Sequence, residues 1–187
     1  MSERKKETRH HILPGDTPAD RLLERIVRVD HAGEYGAVRI YAGQMAVLGR
    51  SASAGVIREM ADKEREHLDT FDRLIGERRV RPTALMPLWH VAGFALGAGT
   101  ALMGARAAMA CTAAIEEVID EHYAEQAALL GDDEAELRAT IEEFRADELE
   151  HRDTALEHEA EKAPGYEVLS AVIKTGSRLA IWLSQRV

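Results

Sequence analysis

The sequence predicts an all-α fold: a four-helix bundle of two helical hairpins, with an apolar crossover helix between them and an amphipathic C-terminal helix. Apolar residues recur at helical period through the long segments, and no segment alternates convincingly at period two. Aromatic residues make up 5% and charged residues 30% of the chain, which favours helices over a β-sandwich or barrel. The 187 residues suffice for one domain with a sizeable core.

The chain divides into a short tail and one helical domain. Residues 1–16 carry basic side chains but no apolar stretch or cleavage pattern, so they are not a secretory signal, and we predict a mobile tail. Thr17-Pro18 begins the first helix well, because proline suits the first helical position. This helix continues at helical period to Gly49. Residues 17–187 are therefore predicted to form a single domain.

Glycines and prolines mark the ends of the later helices. The loop RSASAG separates the first helix from a second one at 56–76, and two prolines then break the pattern. After an uncharged run, we predict helices over 105–131, 134–161 and 167–186. The apolar side of the last helix is formed by Val168, Leu169, Val172, Ile173, Leu179, Ala180 and Leu183.

Charge and cysteine content exclude several classes of function. The net charge of −9 argues against a nucleic-acid-binding protein, which normally has a basic surface. The single cysteine, Cys111, excludes a disulfide framework, a Cys-x-x-Cys redox pair and a rubredoxin-type iron site. It is expected to be a small buried residue, which is consistent with a reducing compartment.

A Glu-x-x-His pattern occurs twice, as EREH at 64–67 and as ELEH at 148–151, each with a lone glutamate about thirty residues upstream. Alone the pattern is weak, and the chain contains a chance match, ETRH at 7–10. The positions are more informative, because in an antiparallel hairpin residues equidistant from the turn lie at the same height. Each lone glutamate and its Glu-x-x-His pair lie on opposite sides of a predicted turn, and both are about 15 residues, or roughly 22 Å, from it.

This symmetry predicts that six side chains converge in the bundle core: Glu34, Glu64, His67, Glu116, Glu148 and His151. Symmetry alone does not separate Glu116 from its neighbour Glu117. Residues at i and i+3 share a helix face, so each Glu-x-x-His pair can aim both groups at one point. Taken singly, each residue could equally be a surface side chain. Four glutamates together in a core would repel strongly, and two divalent cations would cancel that charge.

The arrangement is that of the di-iron or di-manganese sites of ferritin-like bundles, so we predict a ferritin-like fold with such a site. Its ligands are mostly hard oxygen donors, with one imidazole per metal and no thiolate. They favour iron or manganese over structural zinc. Two metal ions about 3.5–4 Å apart could share the electrons that reduce O2.

Between Arg81 and Arg106 lie 24 residues without a charged side chain. The run is long enough to span a bilayer. One crossing, however, would separate the two halves of the predicted site, and the run is too short to cross twice. We predict a crossover helix, either packed on the bundle or lying in a membrane interface. Its lack of a charged face favours membrane association or an entrance for a lipophilic substrate. The last helix, with Lys174, Arg178 and Trp182, could contribute to the same surface.

Long blocks of the chain are similar to the demethoxyubiquinone hydroxylase family of ubiquinone biosynthesis. They include RVDHAGEYGAVRIYAGQMAVLG, EREHL, RPTALMPLWHVAGFALGAGTALMGARAAMACTAAIEEVIDEHY and DELEHRD, and the resemblance covers nearly everything beyond about residue 12. The resemblance implies a di-iron monooxygenase. It would add a ring hydroxyl to a polyprenyl demethoxyubiquinol with O2, the second oxygen leaving as water, and NADH would be the ultimate electron donor.

The resemblance also implies residue roles. Carried over to this sequence, the iron ligands are the six residues that the symmetry selects, with Glu116 rather than Glu117, and Glu64 and Glu148 as bridging groups. His122 and Tyr123 match the pair beside the quinone, and Arg25 and Arg28 match positions near the site. The chain departs from many relatives at Val38, where they carry a polar residue, and the change is expected to alter the pocket near Glu34. Trp182 is a further candidate substrate contact. Some relatives have tyrosine at this position, so a hydrogen bond from a phenolic hydroxyl is not available here.

Family members are peripheral membrane proteins. The resemblance therefore implies the cytoplasmic face of a bacterial inner membrane, or the matrix face if the protein is mitochondrial. It also implies partners in a ubiquinone-biosynthesis complex, including a lipid-binding protein.

Two other functions compete with this one. Another ferritin-like activity, such as a ferroxidase, iron-storage protein or peroxidase, has no use for the uncharged run. A membrane-associated helical scaffold without catalytic activity would be stable without iron, and Glu148→Ala would not change oxygen consumption.

Overall fold

The computed structural model describes residues 18–187, which form six α-helices. The predicted tail and the cap at Thr17 lie outside these residues. The helices are α1 (Pro18–Leu48), α2 (Ala54–Arg78), α3 (Met86–Leu102), α4 (Ala105–Leu129), α5 (Ala135–Glu157) and α6 (Tyr166–Ser184). Short 3-10 turns precede and follow α5. The all-α prediction is confirmed, because no strand occurs within residues 18–187.

The helices are arranged as two similar halves. In the first half α1 and α2 form an antiparallel hairpin and α3 packs on α1, while in the second half α4 and α5 form a hairpin and α6 packs on α4. The predicted hairpins, crossover helix and C-terminal helix are all present. The backbones of α1 and α4 approach each other at few points. The two hairpins are joined mainly by long side chains that cross the space between them, and this is where the polar residues of the core lie.

Helix α5 ends earlier than the sequence predicts. A helix over 134–161 is expected, but α5 stops at Glu157 and Glu159 has a left-handed backbone with a φ of 63°. The carboxylate of Glu159 contacts both Arg106 and Lys162. These ion pairs accompany the change of chain direction before α6, so the end of the predicted helix is wrong.

Glycines allow α3 to pack very closely on α1. A Cβ built on Gly97 would lie 1.9 Å from the carbonyl oxygen of Ile40, and one built on Gly93 would lie 2.9 Å from that of Gly36. The opposite side of α3 is exposed at Leu88, which is 51% accessible, and at Val91, which is 65% accessible. The uncharged run is therefore a crossover helix with a glycine face on the bundle and an exposed apolar face. Among residues 18–187, no helix has the length and apolarity needed to span a bilayer.

Two apolar clusters fill the ends of the bundle. Near the α1–α2 turn, Ile57, Met60 and Met109 are buried together, and at the other end Phe71 and Ile141 belong to a second cluster. The polar side chains of the interior lie between these clusters. They are therefore held by packed helices on both sides.

Candidate metal centre

Four glutamates and two histidines meet between the two apolar clusters. Helices α1 and α4 each supply one glutamate, and α2 and α5 each supply a Glu-x-x-His pair. The ligand atoms form two groups, each with all its members within 4.8 Å of one another. Both groups contain Glu64 and Glu148, and the remaining members are Glu34 and His67 in one and Glu116 and His151 in the other. All six residues are at most 6% exposed, and the convergence expected from the turn symmetry is observed.

The structure distinguishes Glu116 from Glu117, which the symmetry of the sequence could not do. Glu116 is 1% exposed and accepts a hydrogen bond from Tyr41. Glu117 points away from the cluster and forms an ion pair with Lys174 on α6, with the two atoms 2.6 Å apart. Only Glu116 is therefore placed to take part in the cluster.

Most of the polar atoms of the cluster lack hydrogen-bond partners. Of the twelve buried side-chain nitrogen and oxygen atoms without one in the described part of the chain, eight belong to these six residues. His67 Nδ1 lies 3.2 Å from a Glu148 oxygen, and His151 Nδ1 lies 3.0 Å from a Glu64 oxygen, but neither pair is aligned as a hydrogen bond. Leaving so many buried polar groups unpaired is costly. Divalent cations would satisfy them all, and the donor set suits such ions.

The pKa values show how unfavourable the cluster is on its own. Burial raises the pKa of Glu64 and Glu116 well above the usual range, and the charge of Glu148 adds to the effect. Burial also opposes the charged form of Glu148, but the two histidines outweigh this and lower its pKa to about 2. Burial alone would lower the pKa of His67 and His151; the surrounding carboxylates instead raise these values to about 11 and 9. Protons therefore take the place that cations would occupy.

The ring of His67 is oriented by residues that lie outside the cluster. Its Nε2 lies 3.0 Å from an oxygen of Asp147, whose carboxylate is also 3.2 Å from the ammonium group of Lys63. The ring stacks on Phe144 with the centroids 3.9 Å apart. With the ring proton on Nε2, the lone pair of Nδ1 points into the cluster, as metal binding requires.

Hydrogen bonds across the cluster follow the pseudo-twofold symmetry of the two halves. Tyr123 donates to Glu34, and Tyr41 donates to Glu116 over 2.9 Å. Each tyrosine follows the glutamate of its own helix by seven residues and bonds to the glutamate of the opposite hairpin. Sequence reasoning identified Tyr123 but missed Tyr41, although the repeated spacing of seven residues was visible.

The same symmetry relates two buried glutamines. Gln44 donates to the Thr112 hydroxyl over 3.3 Å, and Gln126 donates to the Asp30 carboxylate over 2.7 Å. Each glutamine lies ten residues after the glutamate of its helix, and each acceptor lies four residues before one. These bonds join α1 to α4 on both sides of the cluster.

His122 lies beside one of these bonds, with its Nε2 atom 3.9 Å from an Asp30 oxygen. It lines a cavity of about 160 Å³ together with Arg25 and Gln126. Arg28 instead donates to the backbone oxygen of Arg81 and pairs with Glu24. Tyr123 therefore contacts the cluster through Glu34, whereas His122 lies beside Asp30 in the cavity that it shares with Arg25.

Burial lowers the pKa of His122 from 6.5 to about 4. Between these values the unfolded chain binds a proton that the folded chain does not, so stability is lost as the pH falls. When the pH is lowered from 7 to 5, we expect the free energy of unfolding of the His122→Gln variant to fall by about 2 kcal/mol less than that of the wild type. Urea denaturation at both pH values measures this difference. The exposed His158→Gln change is the control, and equal losses in the wild type and His122→Gln would contradict the prediction.

An apolar cavity of about 390 Å³ lies between α1, α3, α4 and α6. Its wall includes Gly33 and Ile115, which directly precede Glu34 and Glu116 in their helices. Across it, Trp89 of α3 donates to the hydroxyl of Ser184 on α6. The cavity thus reaches the helix segments that carry the cluster, and sequence reasoning had only indicated a lipophilic entrance on this side.

Trp182 is not part of the cavity wall. It is 50% exposed on α6, with the Arg186 guanidinium 4.1 Å from the centre of its ring. The substrate contacts expected of Arg25, Arg28 and Trp182 stay predictions, because the structure places none of them at the cluster or along the large cavity.

The fold and the site together define a class of protein. A helical bundle whose core holds two lone glutamates and two Glu-x-x-His pairs is the arrangement of ferritin-like proteins with two metal ions bound by carboxylates. A family model described as ubiquinone biosynthesis protein COQ7 matches residues 21–184. The chain belongs to this family.

Several characterised relatives are similar over most of their length. The 3-demethoxyubiquinol 3-hydroxylase of Rhodospirillum rubrum is 60% identical over 183 residues, which cover 97% of this chain and 86% of the relative. The mitochondrial NADPH-dependent 3-demethoxyubiquinone 3-hydroxylase of Homo sapiens is 56% identical, over 88% of this chain and 78% of the relative. The mitochondrial 5-demethoxyubiquinone hydroxylase of Saccharomyces cerevisiae is 44% identical, over 89% and 78%.

Proposed function

We propose that this protein is a 3-demethoxyubiquinol 3-hydroxylase, a monooxygenase that uses O2 to hydroxylate the ring of a polyprenyl demethoxyubiquinol. The observation that carries the proposal is the buried cluster of unpaired carboxylate and imidazole atoms beside an apolar cavity. The names of the relatives support the same reaction. Hydroxylation with O2 makes the protein an oxidoreductase.

Two iron ions are the metals that we propose for the cluster. Glu34 and His67 would bind one ion, Glu116 and His151 the other, and Glu64 and Glu148 would bridge them because they belong to both groups of ligand atoms. Held by these six residues, two irons would supply electrons for the reduction of O2. The buried setting keeps bulk water away from the reacting atoms.

The protein's own residues position the substrate and handle protons. The Tyr123 hydroxyl, bonded to Glu34, and the neighbouring His122 are the groups that we propose to lie beside the quinol ring. The apolar cavity would hold the prenyl chain next to the ring. Binding energy from this long tail can then orient a small head group that offers few contacts of its own.

The exposed apolar faces of α3 and α6 are proposed to lie on the membrane. Val91 on α3 and Val168, Val172 and Leu179 on α6 are between 56% and 70% exposed, and Val172 also lines the cavity. A quinol could therefore pass from the bilayer to the cavity without crossing water. This supports a peripheral membrane protein. The cytoplasmic face of a bacterial inner membrane, or the matrix face in mitochondria, and partners in the same biosynthetic complex are proposed from the family resemblance.

A nicotinamide nucleotide is proposed as the ultimate reductant. NADH is the donor that the family resemblance implies, whereas the names of several relatives specify NADPH. Both nucleotides therefore belong in the assay.

The decisive test is reconstitution of the full chain with ferrous iron under anaerobic conditions. Demethoxyubiquinone, NADH or NADPH, and O2 are then added, and the quinone is analysed by mass spectrometry. We expect a product heavier by one oxygen atom, absent in the His151→Ala variant. Iron uptake and oxidation without any change of the quinone would favour a ferroxidase, and a stable protein that takes up no iron would favour a scaffold.

Filling the cavity should lower kcat/KM most for substrates with long prenyl tails. A Cβ atom built on Gly36 meets no atom within 4 Å, and Gly36 lines the cavity. We expect Gly36→Leu to fold normally and to lower kcat/KM about 10-fold for a long-tailed quinol, with a smaller loss for a quinol with one prenyl unit. The control is Gly55→Leu, since Gly55 also has open space but lies at the start of α2. An equal loss for both substrates would contradict a tail-binding cavity.

A further inference from the structure

The pseudo-twofold symmetry of the cluster fails at the residues that lie behind the two histidines. Residues of α2 and α5 correspond at a spacing of 84, so that His67 matches His151 and Lys63 matches Asp147. The carboxylate of Asp147 lies 3.0 Å from Nε2 of His67. The equivalent residue on the other side is Lys63, whose ammonium group cannot accept a hydrogen bond. Instead Lys63 reaches across to Asp147 itself, at 3.2 Å.

The two histidines therefore have different surroundings. The side chain of His67 is 1% exposed, is fixed by Asp147 and stacks on Phe144. The side chain of His151 is 8% exposed, and among residues 18–187 its Nε2 makes no hydrogen bond. The tyrosine bonds to Glu34 and Glu116 are, by contrast, present on both sides. The difference between the two halves is concentrated at the histidines.

We propose that the two metal positions are unequal, and that Asp147 makes the position beside His67 bind its ion more tightly and first. The proposal rests on the two-metal site described above. Asp147 acts as a positioning residue: it fixes the ring orientation through Nε2, so Nδ1 already faces the cluster and only has to give up its proton when an ion arrives. His151 has to be fixed by the ion alone, which costs side-chain entropy.

Lys63 has two opposing effects on this arrangement. Its positive charge reduces the strength with which the Asp147 carboxylate attracts the ring proton of His67. It also holds that carboxylate in one place, since an aspartate whose side chain is 19% exposed would otherwise be able to turn towards water. A fixed acceptor contributes more to ligand orientation than a stronger but mobile one, so the net effect is to strengthen the His67 position.

The experiment is a titration of the metal-free full chain with Co²⁺ under anaerobic conditions, followed by calorimetry and by absorption. We expect two binding steps of different affinity in the wild type. Asp147→Asn should weaken the tighter step roughly 10- to 100-fold, which is typical when a carboxylate behind a histidine ligand is lost. The weaker step should stay the same. The control is Asp153→Asn, because Asp153 is an exposed residue of the same helix whose carboxylate pairs with the neighbouring Arg152.

Proton NMR of the Co²⁺-loaded wild type tests the proposal without any variant. One histidine ring N–H should be strongly shifted and protected from exchange, belonging to His67, while the ring proton of His151 exchanges with water. Two equally protected ring protons, or an Asp147→Asn variant that weakens both steps equally or neither, would overturn the proposal. A wild type that binds fewer than two Co²⁺ ions would instead overturn the two-metal site itself.

Discussion

Replacing Glu64 by Gln is expected to abolish binding of the second metal ion and with it the hydroxylation of the quinol. Glu64 belongs to both groups of ligand atoms, so its loss removes an oxygen donor from each ion. The effect on activity should exceed the roughly 10- to 100-fold loss caused by groups that only orient a ligand. Metal content after reconstitution and product formation by mass spectrometry are the two measurements.

The same substitution should leave the metal-free fold intact. Burial and the nearby charge of Glu148 raise the pKa of Glu64 and so favour its protonated form when no metal is bound, and glutamine has nearly the same shape as that form. Thermal unfolding of the metal-free proteins should therefore coincide within a few degrees. The exposed Glu59→Gln change on the same helix is the matched control and should bind metal normally. A Glu64→Gln protein that still holds two ions would contradict the bridging role.

The convergence of the cluster was predictable because it depends on quantities that a sequence displays. Two helices joined by a short turn place equidistant residues at the same height, and the rise per residue of an α-helix is constant. Glycine positions mark the turns, so the distances of Glu34 and Glu64 from the first turn could be compared directly. The bridging role of Glu64 and Glu148 was implied by the family resemblance. It is supported by the structure, in which both residues belong to both groups of ligand atoms.

Features that depend on side-chain contacts between hairpins were not predictable in this way. The end of α5 coincides with contacts between Glu159 and Arg106, which lie 53 residues apart in the chain. The cavity depends on how far α6 lies from α1, which helical period does not determine. The contrast between Lys63 and Asp147 could be read once the spacing of 84 was known, but its consequence requires the observed contact with His67.

The glycines of α3 connect the exposed apolar surface of this helix to the interior. Because Gly93 and Gly97 bring the two backbones together, α3 can cover α1 and still leave its other side apolar and exposed. The same close approach places Leu96 and Trp89 along the cavity wall. The position of α3 therefore determines the shape of the proposed substrate cavity, and a change at the contact should affect both stability and activity.

Gly97→Ala is expected to destabilise the protein by about 3 kcal/mol or more, at the upper end of the range for overpacked cores. The added Cβ would meet the Ile40 backbone at 1.9 Å, and a backbone cannot move aside as a flexible side chain can. For a chain of this size the loss corresponds to a decrease in Tm of roughly 6–12 °C. Differential scanning calorimetry of the metal-free protein measures it.

The matched control is Gly99→Ala, two residues further along α3, where an added Cβ meets nothing within 4 Å. Alanine is a better helix former than glycine, so this variant should be unchanged or more stable by roughly 0.5–1 kcal/mol. The two changes are chemically identical and differ only in what the methyl group meets. If both variants unfold at the same temperature, α3 is not held against α1 by this contact, and the cavity wall must be fixed by α6 and by the bond between Trp89 and Ser184.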